Sequence, residues 1–80
     1  MKTRTAVQRV FDHHLHRHDG GSVKVGVIVV LAQHIANPEK QLTPKRVAEV
    51  LREMGCDVRL DALTLASSVV EGWVLSGAET

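Results

Sequence analysis

The residues with the clearest metal-binding chemistry in this 80-residue chain lie close together near its N-terminal end. They are Asp12, His13, His14, His16, His18 and Asp19. Imidazole and carboxylate groups are ligands for zinc and nickel, and on a helix His14 and His18 would lie one turn apart on one face. These two histidines are the candidate metal ligands. The alternative is an exposed helix end rich in histidine, because nothing in the sequence brings further ligands to the pair.

Groups that could carry out catalysis are not arranged in any known pattern. Asp57 and Asp61 lie four residues apart, but a carboxylate next to the start of a helix is more often a cap. Cys56 has no histidine placed beside it by a motif, and Gly20-Gly21 is too short for a phosphate-binding loop. The sequence therefore predicts a protein that is not an enzyme and that uses no cofactor.

Charge and composition narrow the class of partner. Ten Lys and Arg residues against nine Asp and Glu residues leave a net charge of +1, so no strong field attracts phosphate or a membrane surface. Phe11 and Trp73 are the only aromatic residues, which argues against stacking platforms for single-stranded nucleic acid.

The longest apolar run, residues 25–32, is far shorter than the roughly 20 residues of a membrane-spanning helix. One cysteine and no signal-like N-terminus predict a cytoplasmic protein, and the length predicts a single domain over residues 1–80.

The first half of the chain predicts one helix and one ambiguous segment. Thr3 or Thr5 could cap a helix that runs to about His16 and ends at the polar residues 19–22. Residues 23–35 contain β-branched side chains that favour a strand, followed by a stretch that favours a helix. We favour the helix.

A second helix has the best-defined ends in the chain. Thr43 is placed as its N-cap, Pro44 as its first residue, and Gly55 as the left-handed residue beyond its end. One face of this helix is apolar and the other is charged.

The C-terminal part allows two interpretations. A helix from about Asp61 to Val70 would align apolar residues in one stripe, and with the preceding helix it would form a helix-turn-helix-like pair from Thr43 to about Trp73. The alternative is an α+β domain with a three-stranded sheet formed by residues 23–31, 58–65 and 69–75. We favour an all-α domain with the helix-turn-helix-like pair.

Several short segments together form a pattern that extends over about half of the chain. They are Ile28-Val29-Val30-Leu31, Leu42-Thr43, Val47, Leu51-Arg52-Glu53-Met54-Gly55, Asp57-Val58, Leu60 and Glu71-Gly72-Trp73-Val74. This pattern resembles the winged-helix DNA-binding half of the ferric-uptake-regulator family. That family has a helix, a Leu-Thr-capped helix ending in Gly, a recognition helix and then a β wing. The resemblance implies binding to duplex DNA.

The residues expected at a DNA interface lie at the start of the capped helix and on the last predicted helix. They are Lys45, Arg46, Arg59, Thr64, Ser67 and Ser68. Lys45 and Arg46 could contact phosphate near the positive end of the helix dipole, and Arg59 could contact a base or a phosphate. The alternative is a solvated helix face on which the basic residues pair with Glu49 and Glu53.

The apolar character of residues 25–35 predicts contact with a second chain. A helix here would be apolar almost all round, and its dimer interface would include Val27, Val30 and Leu31. Burial of the same element inside the monomer is the alternative. The sequence thus predicts a small DNA-binding regulator that forms a homodimer, and the rival hypothesis is a protein-interaction or dimerisation module that does not bind nucleic acid.

Overall fold

The computed structural model describes residues 2–36, 41–60, 63–64 and 67–76, and the protein is α+β. In chain order the elements are α1 (Thr3–His14), β1 (Leu15–Lys24), α2 (Val25–Ala36), α3 (Pro44–Glu53), β2 (Asp57–Arg59) and β3 (Val69–Leu75). The strands form one antiparallel sheet in the order β1-β3-β2. The all-α prediction is therefore wrong, and the alternative with a three-stranded sheet is the correct fold class.

Helix α1 follows the predicted helical spacing but ends earlier. Ala6, Val7, Val10 and Phe11 are buried on one face. Lys2 occupies the N-cap position and its side chain makes no cap hydrogen bond, so neither predicted threonine caps the helix. The helix ends at His14 because the next residue is extended, buried and paired in the sheet.

Strand β1 was not predicted, because its middle is polar and rich in glycine. Its two ends pair with β3: residues 15–17 lie opposite residues 75–73, and residues 22–24 lie opposite residues 71–69. Between these two paired stretches, four residues of β1, 18–21, lie opposite a single residue of β3, Gly72. The polar segment at which we expected the first helix to end therefore forms a large bulge within a strand.

Helix α2 begins inside the β-branched run. Val25, Ile28 and Ala32 are fully buried at helical spacing, so this segment is helical as favoured, and a strand over residues 23–31 is wrong. The helix preference of valine is only slightly poorer than that of other residues, and burial of one apolar face outweighs it.

Helix α3 confirms the predicted helix at both ends. Thr43 Oγ1 accepts a hydrogen bond from the Arg46 amide at 3.2 Å, and Pro44 is the first helical residue. Gly55 has φ +83° beyond the C-terminal end, where a left-handed residue was expected. The buried face includes Val47, Val50 and Leu51.

The predicted last helix, from about Asp61 to Val70, is wrong. Strand β2 pairs with the first half of β3, with Val58 opposite Val70 and Arg59 opposite Val69. Val70 is fully buried within β3, so the strand predicted over residues 69–75 is correct. The strand predicted over residues 58–65 is correct only at its start, because β2 ends at Arg59. Residues 61–62 and 65–66 of that predicted helix lie outside the described residues. The helix-turn-helix-like pair from Thr43 to Trp73 therefore retains only its first helix.

The core lies between the three helices and the sheet. Residues of α1, α2 and α3 form one buried cluster with Leu15 and Val23 of β1 and Val70 of β3. Trp73 packs against this cluster and meets Phe11 of α1. Trp73 thereby joins the helices to the strand that also forms one wall of a surface cavity.

Candidate functional site

The exposed face of α3 carries two of the predicted DNA contacts, Lys45 and Arg46. The same face also carries Glu49, Arg52 and Glu53. Arg46 Nη1 lies 3.2 Å from Glu49 Oε2 and 4.0 Å from Glu53 Oε1, so its charge is partly balanced within the helix. Lys45 and Arg46 both lie in the first turn, at the positive end of the helix dipole, which favours an anion.

The other four predicted contacts do not share a helix with one another. Arg59 is in β2, and its Nε lies 3.4 Å from Glu71 Oε1. Thr64 Oγ1 donates a hydrogen bond to Ser67 Oγ at 2.8 Å, and both residues are exposed. Ser68 is buried, and its carbonyl oxygen accepts a hydrogen bond from the Val25 amide at 2.7 Å. The prediction that these residues form one face of a recognition helix is therefore wrong. Ser68 is instead buried, and its backbone is bonded to the start of α2.

Two leucines of the segment that follows β2 are exposed. Leu60 is 55% exposed and Leu63 is 91% exposed. No Lys, Arg or His occurs between Arg59 and Val69. This segment therefore lacks the cations that would bind phosphate.

The three residues predicted for a dimer interface lie on α2 at different depths. Val30 is 68% exposed, whereas Val27 and Leu31 are half-buried and pack against the core. Val30 and Leu31 line two open grooves, one of about 870 Å³ that extends to Leu42 and one of about 410 Å³ that extends to Lys24. The structure thus brings the predicted interface residues together on one surface.

The predicted metal pair does not have its expected geometry. His14 is the last residue of α1 and His18 lies in β1, so the two do not occupy one face of a helix. Both are exposed. Within the described ranges, no three His, Cys, Asp or Glu residues are grouped closely enough to hold a metal ion.

A cavity of about 670 Å³ beside the β1 bulge was missed by the sequence analysis. Its walls are residues 17–22 of β1, residues 54–57 and Arg59 after α3, and residues 69 and 71–73 of β3. The guanidinium carbon of Arg17 lies 5.4 Å from the centroid of the Trp73 ring. The sequence signals for this cavity were its glycines, which we assigned to the ends of two helices and to a wing.

Cys56 forms part of the wall of this cavity and is half-buried. Burial raises the pKa of the Cys56 thiol above its usual value, and the positive charge of Arg17 opposes part of that rise. A thiol with a raised pKa is a poor nucleophile at neutral pH. This arrangement gives no support for a catalytic cysteine.

Comparison of the chain with protein-family models, with curated proteins and with solved structures finds no match. Among the described residues, no helix combines the length and the apolar character needed to cross a bilayer.

Proposed function

We propose that this protein is a cytoplasmic, non-enzymatic regulator that binds duplex DNA through the exposed face of α3. The observation that carries the proposal is the arrangement of α3, which is capped, docked on α2 by its apolar side and followed by the β2 and β3 ribbon. A helix pair followed by a ribbon is the order of elements in a winged helix. In a winged-helix arrangement of these elements, α2 and α3 would form the helix pair. Helix α3 would then be the recognition helix, in place of the one that we predicted after residue 60.

The chemistry of the first turn of α3 supports this assignment. In helix-turn-helix proteins the N-terminal residues of the second helix contact base edges, while flanking groups contact phosphate. Lys45 and Arg46 occupy that turn and are exposed, and Arg52 extends the same charged face. Arg46 would exchange its contacts with Glu49 and Glu53 for contacts with a guanine or a phosphate.

The low net charge sets a limit on this mode of binding. Three basic residues on α3 are accompanied by two acidic ones, so phosphate attraction is modest. About three phosphate contacts would give a slope of log K against log salt of about −2.7. Affinity therefore has to come from base contacts and from two copies binding together.

Fluorescence anisotropy with a pool of random duplexes, followed by selection of bound sequences, tests the proposal. Wild-type protein is expected to bind with a shallow salt dependence, and a Lys45→Ala, Arg46→Ala variant is expected to lose that binding. A matched variant with Arg4→Ala and Arg9→Ala removes the same charge from exposed positions of α1 and is expected to bind as wild type. Absence of binding at low salt, or equal loss in both variants, would contradict an interface on α3.

Self-association through α2 is a second proposal, favoured by the exposure of Val30. A symmetric dimer would bury Val27, Val30 and Leu31 against their copies, with Val30 entering a groove of the partner. Such a dimer would hold two copies of α3 for two DNA half-sites. Without DNA binding, the same surface would support the rival function, a dimerisation module.

Sedimentation velocity of the wild-type protein and two variants tests which exposed apolar surface forms the dimer interface. The wild-type protein is expected to be a dimer, and Val30→Lys is expected to give a folded monomer. Leu63→Lys introduces the same charge at another exposed apolar position and is expected to leave the dimer intact. A monomeric wild-type protein would refute self-association, and a monomer with Leu63→Lys alone would move the interface to the segment after β2.

A further inference from the structure

The cavity beside the β1 bulge is surrounded by backbone that only glycine adopts easily. Gly20, Gly55 and Gly72 have φ of +79°, +83° and +85°, and all three line this cavity. They belong to three different parts of the chain: the β1 bulge, the turn after α3, and the middle of β3. No other residue within the described ranges has a positive φ. Gly55 takes this conformation at the end of α3, and Gly20 and Gly72 take it in the β1 bulge and in the strand opposite, so backbone without side chains forms part of the cavity wall on three sides.

Arg17 provides a group that can hold a carboxylate. Its guanidinium carbon lies over the Trp73 ring, 5.4 Å from the ring centroid. A guanidinium group held over an aromatic ring can still bind a carboxylate with two parallel hydrogen bonds. No acidic side chain within the described ranges forms an ion pair with Arg17.

The opposite charge is provided by carboxylates of the same cavity. Asp57 lies directly across from Glu71 in the sheet, where two like charges repel. Arg59 pairs with Glu71 at 3.4 Å, whereas no cation of the described residues pairs with Asp57. Asp19, on the β1 side, lines the cavity as well. A cationic group beside Asp57 or Asp19 would therefore be stabilised.

The balance of these charges selects the class of ligand. Of the described residues, two arginines and three carboxylates line the cavity, a formal sum of −1. A simple anion would be repelled by the carboxylates, and a simple cation would leave Arg17 without an ion-pair partner. A small zwitterion satisfies both groups, and a volume of about 670 Å³ is sufficient for it.

We propose that this cavity binds a free amino acid, with its carboxylate on Arg17 and its ammonium group on Asp57 or Asp19. Trp73, Met54 and Val69 provide apolar surface for the ligand's side chain. This site is separate from the exposed face of α3, and it does not depend on DNA binding by the protein.

Trp73 is the only tryptophan, so its fluorescence reports directly on the site. The experiment titrates the full-length protein with each standard amino acid, and with the amide and the N-acetyl derivative of any amino acid that binds. A saturable change is expected with the free amino acid, and each derivative is expected to bind about tenfold more weakly or worse, because one charged hydrogen bond is lost. Protection of Cys56 from alkylation by the same ligand is the second readout, because this thiol lines the cavity.

Three variants complete the test. Arg17→Gln and Asp57→Asn are expected to weaken binding about tenfold each, whereas Arg9→Gln, on the exposed side of α1, is expected to bind as wild type. If Arg17→Gln does not fold, as judged by circular dichroism, Asp57→Asn and the two derivatives still decide the outcome. The proposal is overturned if no amino acid gives a saturable change, if the amide binds as well as the free acid, or if the N-acetyl derivative does.

Discussion

Phe11 of α1 and Trp73 of β3 meet edge to face, with their ring centroids 4.8 Å apart and their planes at 80°. They are the only aromatic residues of the chain, so this one contact provides all of its aromatic pairing. It joins the helical layer to the strand at the centre of the sheet order. Because Arg17 lies over the same Trp73 ring, the pair also supports one wall of the cavity.

The energy of this pair can be measured with a double-mutant cycle. Phe11→Leu and Trp73→Leu each remove the aromatic contact, and the double variant is expected to show a coupling free energy of about 0.5–1.5 kcal/mol. Urea unfolding of the four proteins provides the measurement. A parallel cycle of Phe11→Leu with Arg17→Gln is expected to be nearly additive, and additivity in the Phe11 and Trp73 cycle would show that the contact contributes nothing beyond burial.

The cap of α3 predicts a second stability effect. Thr43→Ala removes the acceptor of the Arg46 amide and is expected to lower the free energy of unfolding by about 1 kcal/mol. Thr43→Ser keeps the hydroxyl group and is expected to remain close to wild type. Thermal unfolding of both variants tests the role of the side chain, since an equal loss in the two would assign the effect to packing of the threonine methyl group.

The β1 bulge predicts that Gly21 cannot carry a side chain. A Cβ atom there would lie 2.5 Å from Val74 Cγ1, 3.0 Å from the His18 carbonyl oxygen and 3.1 Å from that of Trp73. Gly21→Ala is expected to lower the free energy of unfolding by about 1–3 kcal/mol, because two of the three neighbours are backbone atoms. Ser22→Ala, at the next and exposed position, is the control. A neutral Gly21→Ala variant would show that the bulge can move away from β3.

The thiol of Cys56 predicts a specific dependence on pH. Because burial raises the pKa of Cys56, alkylation of the folded protein at mildly alkaline pH is expected to be slower than alkylation of the urea-unfolded chain. Arg17→Gln removes the charge that opposes the rise, so this variant is expected to react more slowly still. A faster reaction in that variant would show that Arg17 acts as a cover for the thiol and not through its charge.

The same raised pKa has a consequence for stability. The fold disfavours the thiolate, so the contribution of Cys56 is fully present below the pKa of the unfolded chain and is lost as the pH rises through the higher pKa of the folded protein. Cys56→Ser is expected to remove this alkaline loss. Unfolding free energies measured from neutral to alkaline pH provide the comparison, and identical pH profiles for the two proteins would contradict a buried thiol.

The amino-acid sequence alone determined the helices whose signals lie within a few residues of one another. The hydroxyl of Thr43, the ring of Pro44 and the flexibility of Gly55 act locally, so they predicted the two ends of α3 correctly. The helical spacing of buried residues likewise located α1 and favoured a helix for α2. The sequence did not distinguish Val30 from Val27 and Leu31, and only the structure shows that Val30 is exposed while the other two are half-buried.

Only the tertiary structure decided the sheet and the cavity. Val69 and Val70 fit both a helical stripe and a strand, and the choice depended on Val23, a partner opposite Val70 but far away in the sequence. The β1 bulge likewise becomes visible only when its two ends pair with β3, and this pairing brings Arg17 over Trp73. Capping and helical spacing are local and can be recognised in a single segment, whereas strand pairing and cavity walls depend on contacts between distant segments, which no local pattern specifies.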